Sequence, residues 1–337
     1  MTNALATLEF NNWNLLGHEW AVDMLKQHIT REAVRHAYLL SGPPGLGRRT
    51  LALRFAQALN CTQPPAPGQP CGVCRDCRQI EAMQHPDLSV VQAEAEGGTL
   101  KVDQVREVRR ALALKPYQAK YRVALFLRFQ EASEGAANAL LKTLEEAPEY
   151  VVLILTADSP EVLLPTITSR CEILRLRPLP IGAIESYLQQ HGAENEQAHL
   201  IAHVSSGRPG YALQLLKDES ALEFRAECLT DLEQLLSSTR VQKFDYAEKL
   251  AKDKEAMRQT LLIWLSYWRD VLLQASGARA SIANIDQSET ITTLVKRLDL
   301  GRTRLVVSEL ELALKRLDRN VNPRLLAEVL LLDLPKV

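Results

Sequence analysis

His36-Ala37-Tyr38-Leu39-Leu40-Ser41-Gly42-Pro43-Pro44-Gly45-Leu46-Gly47-Arg48-Arg49-Thr50 decides the fold. Ala37–Ser41 is a short apolar run that stops at a Gly/Pro loop, and Thr50–Leu59 reads as a helix behind it. A strand, a glycine-rich loop and a helix in that order form the setting of a phosphate-binding loop, whose backbone N–H groups close around phosphate oxygens at a helix N-terminus. The chemistry of such a loop also needs Lys and then Ser or Thr after the last glycine. Here Arg48 stands for the lysine and Arg49 for the hydroxyl that would hold magnesium. Thr50 comes one residue late, about 100° further round the helix. Two readings are open for Gly42, Gly45, Gly47, Arg48, Arg49 and Thr50. One is weak nucleotide or phosphate binding. The other is a retained loop with an empty or blocked pocket, which the missing hydroxyl favours.

Working outward, Val123–Leu127 reads as a second buried strand, Ser133–Glu146 as a helix, Val151–Thr156 as a third strand and Glu172–Leu176 as a fourth. Short apolar strands joined by helices predict a parallel sheet covered on both faces, with ligands at the carboxyl ends of its strands. A nucleotide-hydrolysing site would place acids at the end of a strand beside the loop. The end of Val123–Leu127 reads Leu127, Arg128, Phe129 and Gln130, with no acid before Glu131. ATP and magnesium are therefore not expected to be turned over by this chain.

Beyond residue 217 the only helix breakers are Gly277, Gly301, Pro323 and Pro335, so that part is expected to be nearly unbroken helix. Leu261, Trp264, Leu265, Trp268, Val271 and Leu272 carry helical spacing. Asn322-Pro323 opens a last helix as cap and first-turn proline, with Leu325–Leu334 expected to be buried on most sides. Residues 179–217 form a small helical segment between the two parts.

Cys61, Cys71, Cys74 and Cys77 have the spacing C-x9-C-x2-C-x2-C around a proline-rich loop, Gln63–Pro70. Four thiolates complete a closed tetrahedral site, so structural zinc is expected there. The rival, an iron–sulfur cluster, has its fourth cysteine downstream and followed by proline, which this run lacks. Cys171 and Cys228 stand apart, and Cys228 reads as a buried small apolar residue. Arg170, in Thr166-Ile167-Thr168-Ser169-Arg170-Cys171, falls just ahead of a strand. The residues alone are satisfied by an ordinary surface arginine; the functional reading is an arginine offered to a phosphate on another subunit.

The chain has 337 residues, 46% of them hydrophobic, with 40 Lys plus Arg against 41 Asp plus Glu and a net charge of -1. That excludes a broadly basic nucleic-acid coat and a disordered acidic chain. No apolar run approaches the ~20 residues of a membrane span. The start, with acidic Glu9, shows no signal-peptide order, so a cytoplasmic protein without membrane contact is expected.

Further stretches carry a resemblance. Leu16-Gly17-His18, His36-Ala37-Tyr38-Leu39, the four-cysteine insert, Lys115-Pro116-Tyr117, Ala137-Asn138-Ala139-Leu140-Leu141-Lys142-Thr143-Leu144-Glu145-Glu146, Ser169-Arg170-Cys171 and Asn322-Pro323-Arg324-Leu325 are similar to the AAA+ clamp-loader family of bacterial DNA polymerase III. The match runs over nearly the whole length. It implies an α/β RecA-like AAA+ domain with a zinc module at about 61–77 (residues 1–178), a small helical lid (179–217) and an all-α collar domain (218–337). It implies zinc on Cys61, Cys71, Cys74 and Cys77, and Arg170, with Ser169 and Cys171, as an arginine finger acting in trans. The implied partners are the motor (gamma/tau) and delta subunits of a hetero-pentamer, and through it the sliding clamp and primed DNA. Motors of the family share the cysteines and Ser-Arg-Cys, but Arg48, Arg49 and the lack of acids at 127–128 set this chain on the stator side. The alternatives are an ATP-hydrolysing motor and a zinc-stabilised interaction module with no link to ATP. Gly207-Arg208-Pro209-Gly210 lies where the family's lid senses nucleotide.

Overall fold

The computed structural model describes residues 12–95, 97–278, 280–318 and 321–336. Glu9, used in reading the start of the chain, lies outside them. The chain divides into two compact units. One runs to Leu179 and takes in Arg208–Tyr211; the other holds Pro180–Gly207 and the chain from Ala212 onward.

In chain order the first unit contains α1 (Glu19–Thr30), β1 (Ala37–Ser41), α2 (Arg48–Asn60), α3 (Arg75–Glu81), β2 (Leu88–Val91), α4 (Val102–Leu112), β3 (Arg122–Phe126), α5 (Glu134–Glu145), β4 (Val151–Ala157), α6 (Pro165–Thr168) and β5 (Glu172–Arg175). The strands form one sheet in the order β2-β3-β4-β1-β5. All of its pairings are parallel, with Leu39 opposite Leu155 on one side and Ile173 on the other. This is a parallel α/β arrangement, with the loop-bearing strand β1 flanked on both sides.

Strand alternation explains why the centre of the sheet is apolar on both faces. Tyr38, Leu40, Val123, Leu125, Val152 and Ile154 face one core with Leu51 and Phe55 of α2. Ala37, Leu39, Ala124, Phe126, Leu153 and Leu155 face a second core with Val105 of α4 and Leu140 of α5. Successive side chains point to opposite faces, and helices cover both, so neither set can be polar. The Ser133 hydroxyl accepts the Ala136 N–H and starts α5 at its cap.

Sequence and structure differ at some borders. β3 begins at Arg122 and ends at Phe126, β4 runs on to Ala157, and α2 begins at Arg48 because Gly47, at φ 88°, is its cap. β2 was not read from the sequence. It is a four-residue edge strand containing Ser89, too short and too mixed for a periodic signal.

The second unit is entirely helical among the described residues. It holds α7 (Ile181–Gln190), α8 (Asn195–Val204), α9 (Pro209–Lys217, whose first turn belongs to the first unit), α10 (Glu219–Ser237), α11 (Arg240–Leu250), α12 (Lys254–Ala275), α13 (Ser288–Arg297), α14 (Leu300–Asp318) and α15 (Pro323–Asp333). Its core gathers Leu261, Trp264 and Trp268 of α12 with Leu310 of α14 and Leu331 of α15. The Trp264 indole N–H donates to the Cys228 carbonyl at 2.8 Å. Arg225 is buried and pairs with both oxygens of Asp286 at 2.7 and 2.8 Å. Asp270 accepts the N–H groups of Ala283 and Asn284, so the approach to α13 is held from α10 and α12 together.

One expectation fails. Leu325–Leu334 is not buried on most sides: Leu326, Ala327, Leu330 and Leu331 are buried, but Leu325, Val329 and Leu332 are 57%, 43% and 41% exposed. An apolar helix packed on one side against α11 and α14 has a second face that the rest of the chain does not reach. Likewise Leu272 is only partly buried. No helix among the described residues is long and apolar enough to cross a membrane.

Trp264→Ala removes a fully buried side chain together with its hydrogen bond. It is expected to destabilise the helical unit by about 3–5 kcal/mol, read as an earlier urea midpoint in the transition followed by tryptophan fluorescence and circular dichroism.

Candidate functional site

Three groups of residues bear chemistry: the glycine-rich loop, the cysteine cluster and Arg170.

The loop lies at the carboxyl end of β1. Gly42, Gly45 and Gly47 have φ of 144°, 85° and 88°, and a Cβ on Gly42 would stand 2.6 Å from the Leu176 carbonyl oxygen. Glycine is required here because a side chain would collide with the main chain of the next strand's exit. The His18 ring is buried and its Nε2 lies 3.0 Å from the Leu46 carbonyl; burial lowers its pKa, favouring the neutral ring. The Gly210 N–H donates to the Gly45 carbonyl at 2.8 Å. A Cβ on Gly210 would lie 2.9 Å from that same oxygen, so Arg208–Tyr211 rests directly on the loop.

Arg48 is only 8% exposed. Its Nη2 pairs with Asp158 Oδ1 at 2.9 Å, while its Nη1 is buried without a hydrogen-bond partner among the described residues. The cation in the phosphate position thus has a carboxylate beside it. The Arg49 guanidinium turns away to the Met83 sulfur at 3.2 Å, and Thr50 is exposed. At the end of β3, Leu127 is buried, and Arg128, at φ 49°, pairs through Nε with Glu131 at 2.9 Å. Glu131 also accepts the Gly97 N–H. The first acid after β3 is therefore engaged locally.

The four cysteines come together. The Sγ atoms of Cys61, Cys71, Cys74 and Cys77 all lie within 4.8 Å of one another. Four sulfurs around an ion at about 2.3 Å would be about 3.8 Å apart; Cys71 and Cys77 are 3.9 Å apart. Backbone N–H groups of Cys71, Cys74 and Cys77 point at the sulfurs of Cys61, Cys71 and Cys74, which stabilises the thiolate forms. Burial works the other way and pushes the Cys77 and Cys61 thiols up. At Cys74 burial also raises the pKa, but donation from the Cys77 N–H and from the Thr62 hydroxyl and N–H outweighs it and brings the thiol to about 6. The cluster can hold a metal ion. The Gln57 amide donates to the Cys77 carbonyl at 2.8 Å, tying it to α2.

Arg170 precedes β5 at the opposite edge of the sheet from the loop. Tyr38 pairs with Glu172, so Arg170 and Cys171 lie level with the start of β1, whereas the loop comes after its end. The Ala37–Ser41 strand alone separates them by roughly 13 Å at about 3.3 Å per residue. Arg170 lines a surface cavity of about 490 Å³ together with Arg35, His36, Glu145 and Ser169. Burial pushes the Cys171 thiol up to about 12, so the cysteine of Ser-Arg-Cys is a packing residue at neutral pH.

Comparison with known proteins agrees with this arrangement. The family described as "DNA polymerase III, delta subunit" matches residues 17–180, and that described as "DNA polymerase III, delta subunit, C terminal" matches residues 219–336. The chain is 31% identical over 276 residues to DNA polymerase III subunit delta' of Escherichia coli (strain K12), covering 81% of this chain and 80% of that protein. The chain belongs to the delta-prime family of DNA polymerase III subunits. A delta-prime subunit of Bacillus subtilis (strain 168) is 29% identical over 316 residues, covering 92% of this chain and 94% of that one. The tau subunit of the same organism is also 29% identical, over 94% of this chain and 60% of its own length.

The delta-prime reading of the sequence missed several polar residues around these groups. Asp158 is the partner of Arg48; its signal was an acid just after β4, whereas acids were sought only after β3. Asp87, 1% exposed, accepts the N–H groups of Tyr117, Gln118 and Ala119 at 2.7, 2.9 and 3.0 Å. Asp76, next to Cys77, lies 3.2 Å from His85 Nε2 and accepts the Gln118 amide at 3.1 Å, so the cysteine module is linked to the Lys115–Tyr121 loop.

At Asp87 burial alone would raise the carboxyl pKa. The three N–H donors and Arg122 outweigh it and hold it below the usual carboxylate range. A depressed folded-state value makes this contribution complete above the unfolded value of about 4 and lost as the pH falls through the folded one. Asp87→Asn is expected to cost about 1–3 kcal/mol at neutral pH. The gap to wild type should narrow below about pH 4, as measured by denaturant unfolding across a pH series.

Proposed function

We propose that this chain is a stator subunit of a DNA polymerase III clamp loader. It helps place the sliding clamp on primed DNA and supplies Arg170 in trans to ATP bound by a neighbouring motor subunit. The observation that carries the reading is the placement of Arg170 at the edge of the sheet opposite this chain's own glycine-rich loop. An arginine there has no route to a phosphate in its own loop, yet stands partly exposed in a surface cavity. A guanidinium presented to the transferring phosphoryl group stabilises charge spread over its oxygens, an effect worth roughly 10³–10⁵ in rate.

The loop supports the other half. Arg48 is paired with Asp158, no hydroxyl stands at position 49, and no acid stands at 127 or 128. Magnesium has no ligand set of the usual kind, so this chain is read as non-hydrolysing. The motor alternative would need Lys and Ser or Thr in place of Arg48 and Arg49. Residues 1–178, 179–217 and 218–337 are taken as AAA+ domain, lid and collar. The exposed Leu325, Val329 and Leu332 give the collar an apolar face for neighbouring collars of a hetero-pentamer with gamma/tau and delta subunits. The four-sulfur site is assigned to structural zinc, since all four positions are filled by protein and none is left for water.

The test is a loader rebuilt from its motor and delta subunits with a clamp and primed DNA. Arg170→Ala should lower DNA-stimulated ATP hydrolysis by at least about tenfold while gel filtration shows the complex intact. An unchanged rate overturns the trans assignment.

Elemental analysis should find one zinc per chain, and Cys77→Ala should release it. Because metal binding at such a site contributes folding free energy, the variant should become protease-sensitive within residues 61–77. Full protection without zinc would refute the structural role.

A further inference from the structure

Arg170 is held before any partner arrives. Its Nη1 donates to the Thr166 carbonyl at 2.9 Å, within its own turn. Its Nη2 donates to Glu145 Oε1 at 2.8 Å. Glu145 is the last residue of α5, which packs against α6 just ahead of Arg170. The arginine is therefore gripped from two elements, one through the main chain and one through a carboxylate. Both side chains are partly exposed, at 36% and 51%.

An arginine side chain on a surface samples many rotamers, and fixing it costs up to about 2 kcal/mol of conformational entropy. The guanidinium is a planar fork with five N–H donors. Thr166 and Glu145 engage Nη1 and Nη2, while no acceptor among the described residues takes the Nε–H. The fork is thus oriented by one part of its rim while Nε–H and one Nη2 hydrogen stay available to a further acceptor.

We infer that Glu145 is a positioning residue for Arg170: its carboxylate orients the guanidinium in advance, toward the cavity it shares with Arg35 and His36. This deepens, and rests on, the trans reading of Arg170. Glu145 acts as a hydrogen-bond acceptor that fixes a direction. Its negative charge is half in water and weakly felt at a distance.

Acceptor and charge are separable in the rebuilt loader. Glu145→Ala should lower kcat for DNA-stimulated ATP hydrolysis by about two- to fivefold, with KM for ATP unchanged and assembly intact. Glu145→Gln, whose amide oxygen accepts the same N–H, should keep the wild-type rate. The double variant with Arg170→Ala should be no slower than Arg170→Ala alone. In the isolated chain, the ¹⁵N relaxation of the Arg170 Nε–H should show greater mobility in Glu145→Ala than in wild type or Glu145→Gln. A Glu145→Ala loader as fast as wild type or faster, with Arg170→Ala slow, overturns this inference alone. Equal losses in Glu145→Ala and Glu145→Gln, or Nε–H mobility unaffected by Glu145→Ala, overturn it as well. An Arg170→Ala loader at full rate overturns the trans reading and this inference together.

Discussion

Parallel pairing is the constraint on which the first unit depends. Every strand of the sheet points the same way, so segments leaving the strands gather at one edge and segments entering them gather at the other. The glycine loop leaves β1, and Arg170 enters β5. No loop rearrangement short of breaking the β1–β5 register brings the two together. The phosphate-type loop and Arg170 therefore stand on opposite edges of one sheet.

The loop edge combines the backbone of a phosphate cradle with an internal ion pair. The glycines retain the left-handed backbone that such a cradle needs, and α2 still begins at Gly47. The cation inside it faces Asp158 across 2.9 Å. A partly buried guanidinium would be costly without a counter-charge, and the neighbouring strand end supplies one from within the chain. The cysteine module at the far end of α2 contributes stiffness instead. Gln57, Asp76 and His85 link it to the helix and to the loop that Asp87 holds.

Much of this was legible in the sequence. The sheet announced itself through largely apolar runs at β1, β3 and β4, since parallel strands covered on both faces leave little room for polar residues. The gathering of the four cysteines was legible because their spacing is itself the geometry. β2 escaped because four residues at a sheet edge carry no period. The pairings of Arg48 with Asp158 and of Arg170 with Glu145 escaped for a different reason. Each joins residues far apart in the chain whose meeting is set by strand register and helix packing, and nothing local marks them. The last helix was misjudged because composition tells how apolar a helix is, and only packing tells how many of its sides have neighbours.

The contact between Gly45 and Gly210 bears on how such a protein can drift. It is made of main chain on both sides, an N–H against a carbonyl, so it does not depend on which side chains stand at 208 or 211. It asks only that two positions stay without a Cβ. Side chains at the loop can differ without removing this contact. A change of side chain at 48 or 49 would leave this backbone contact in place.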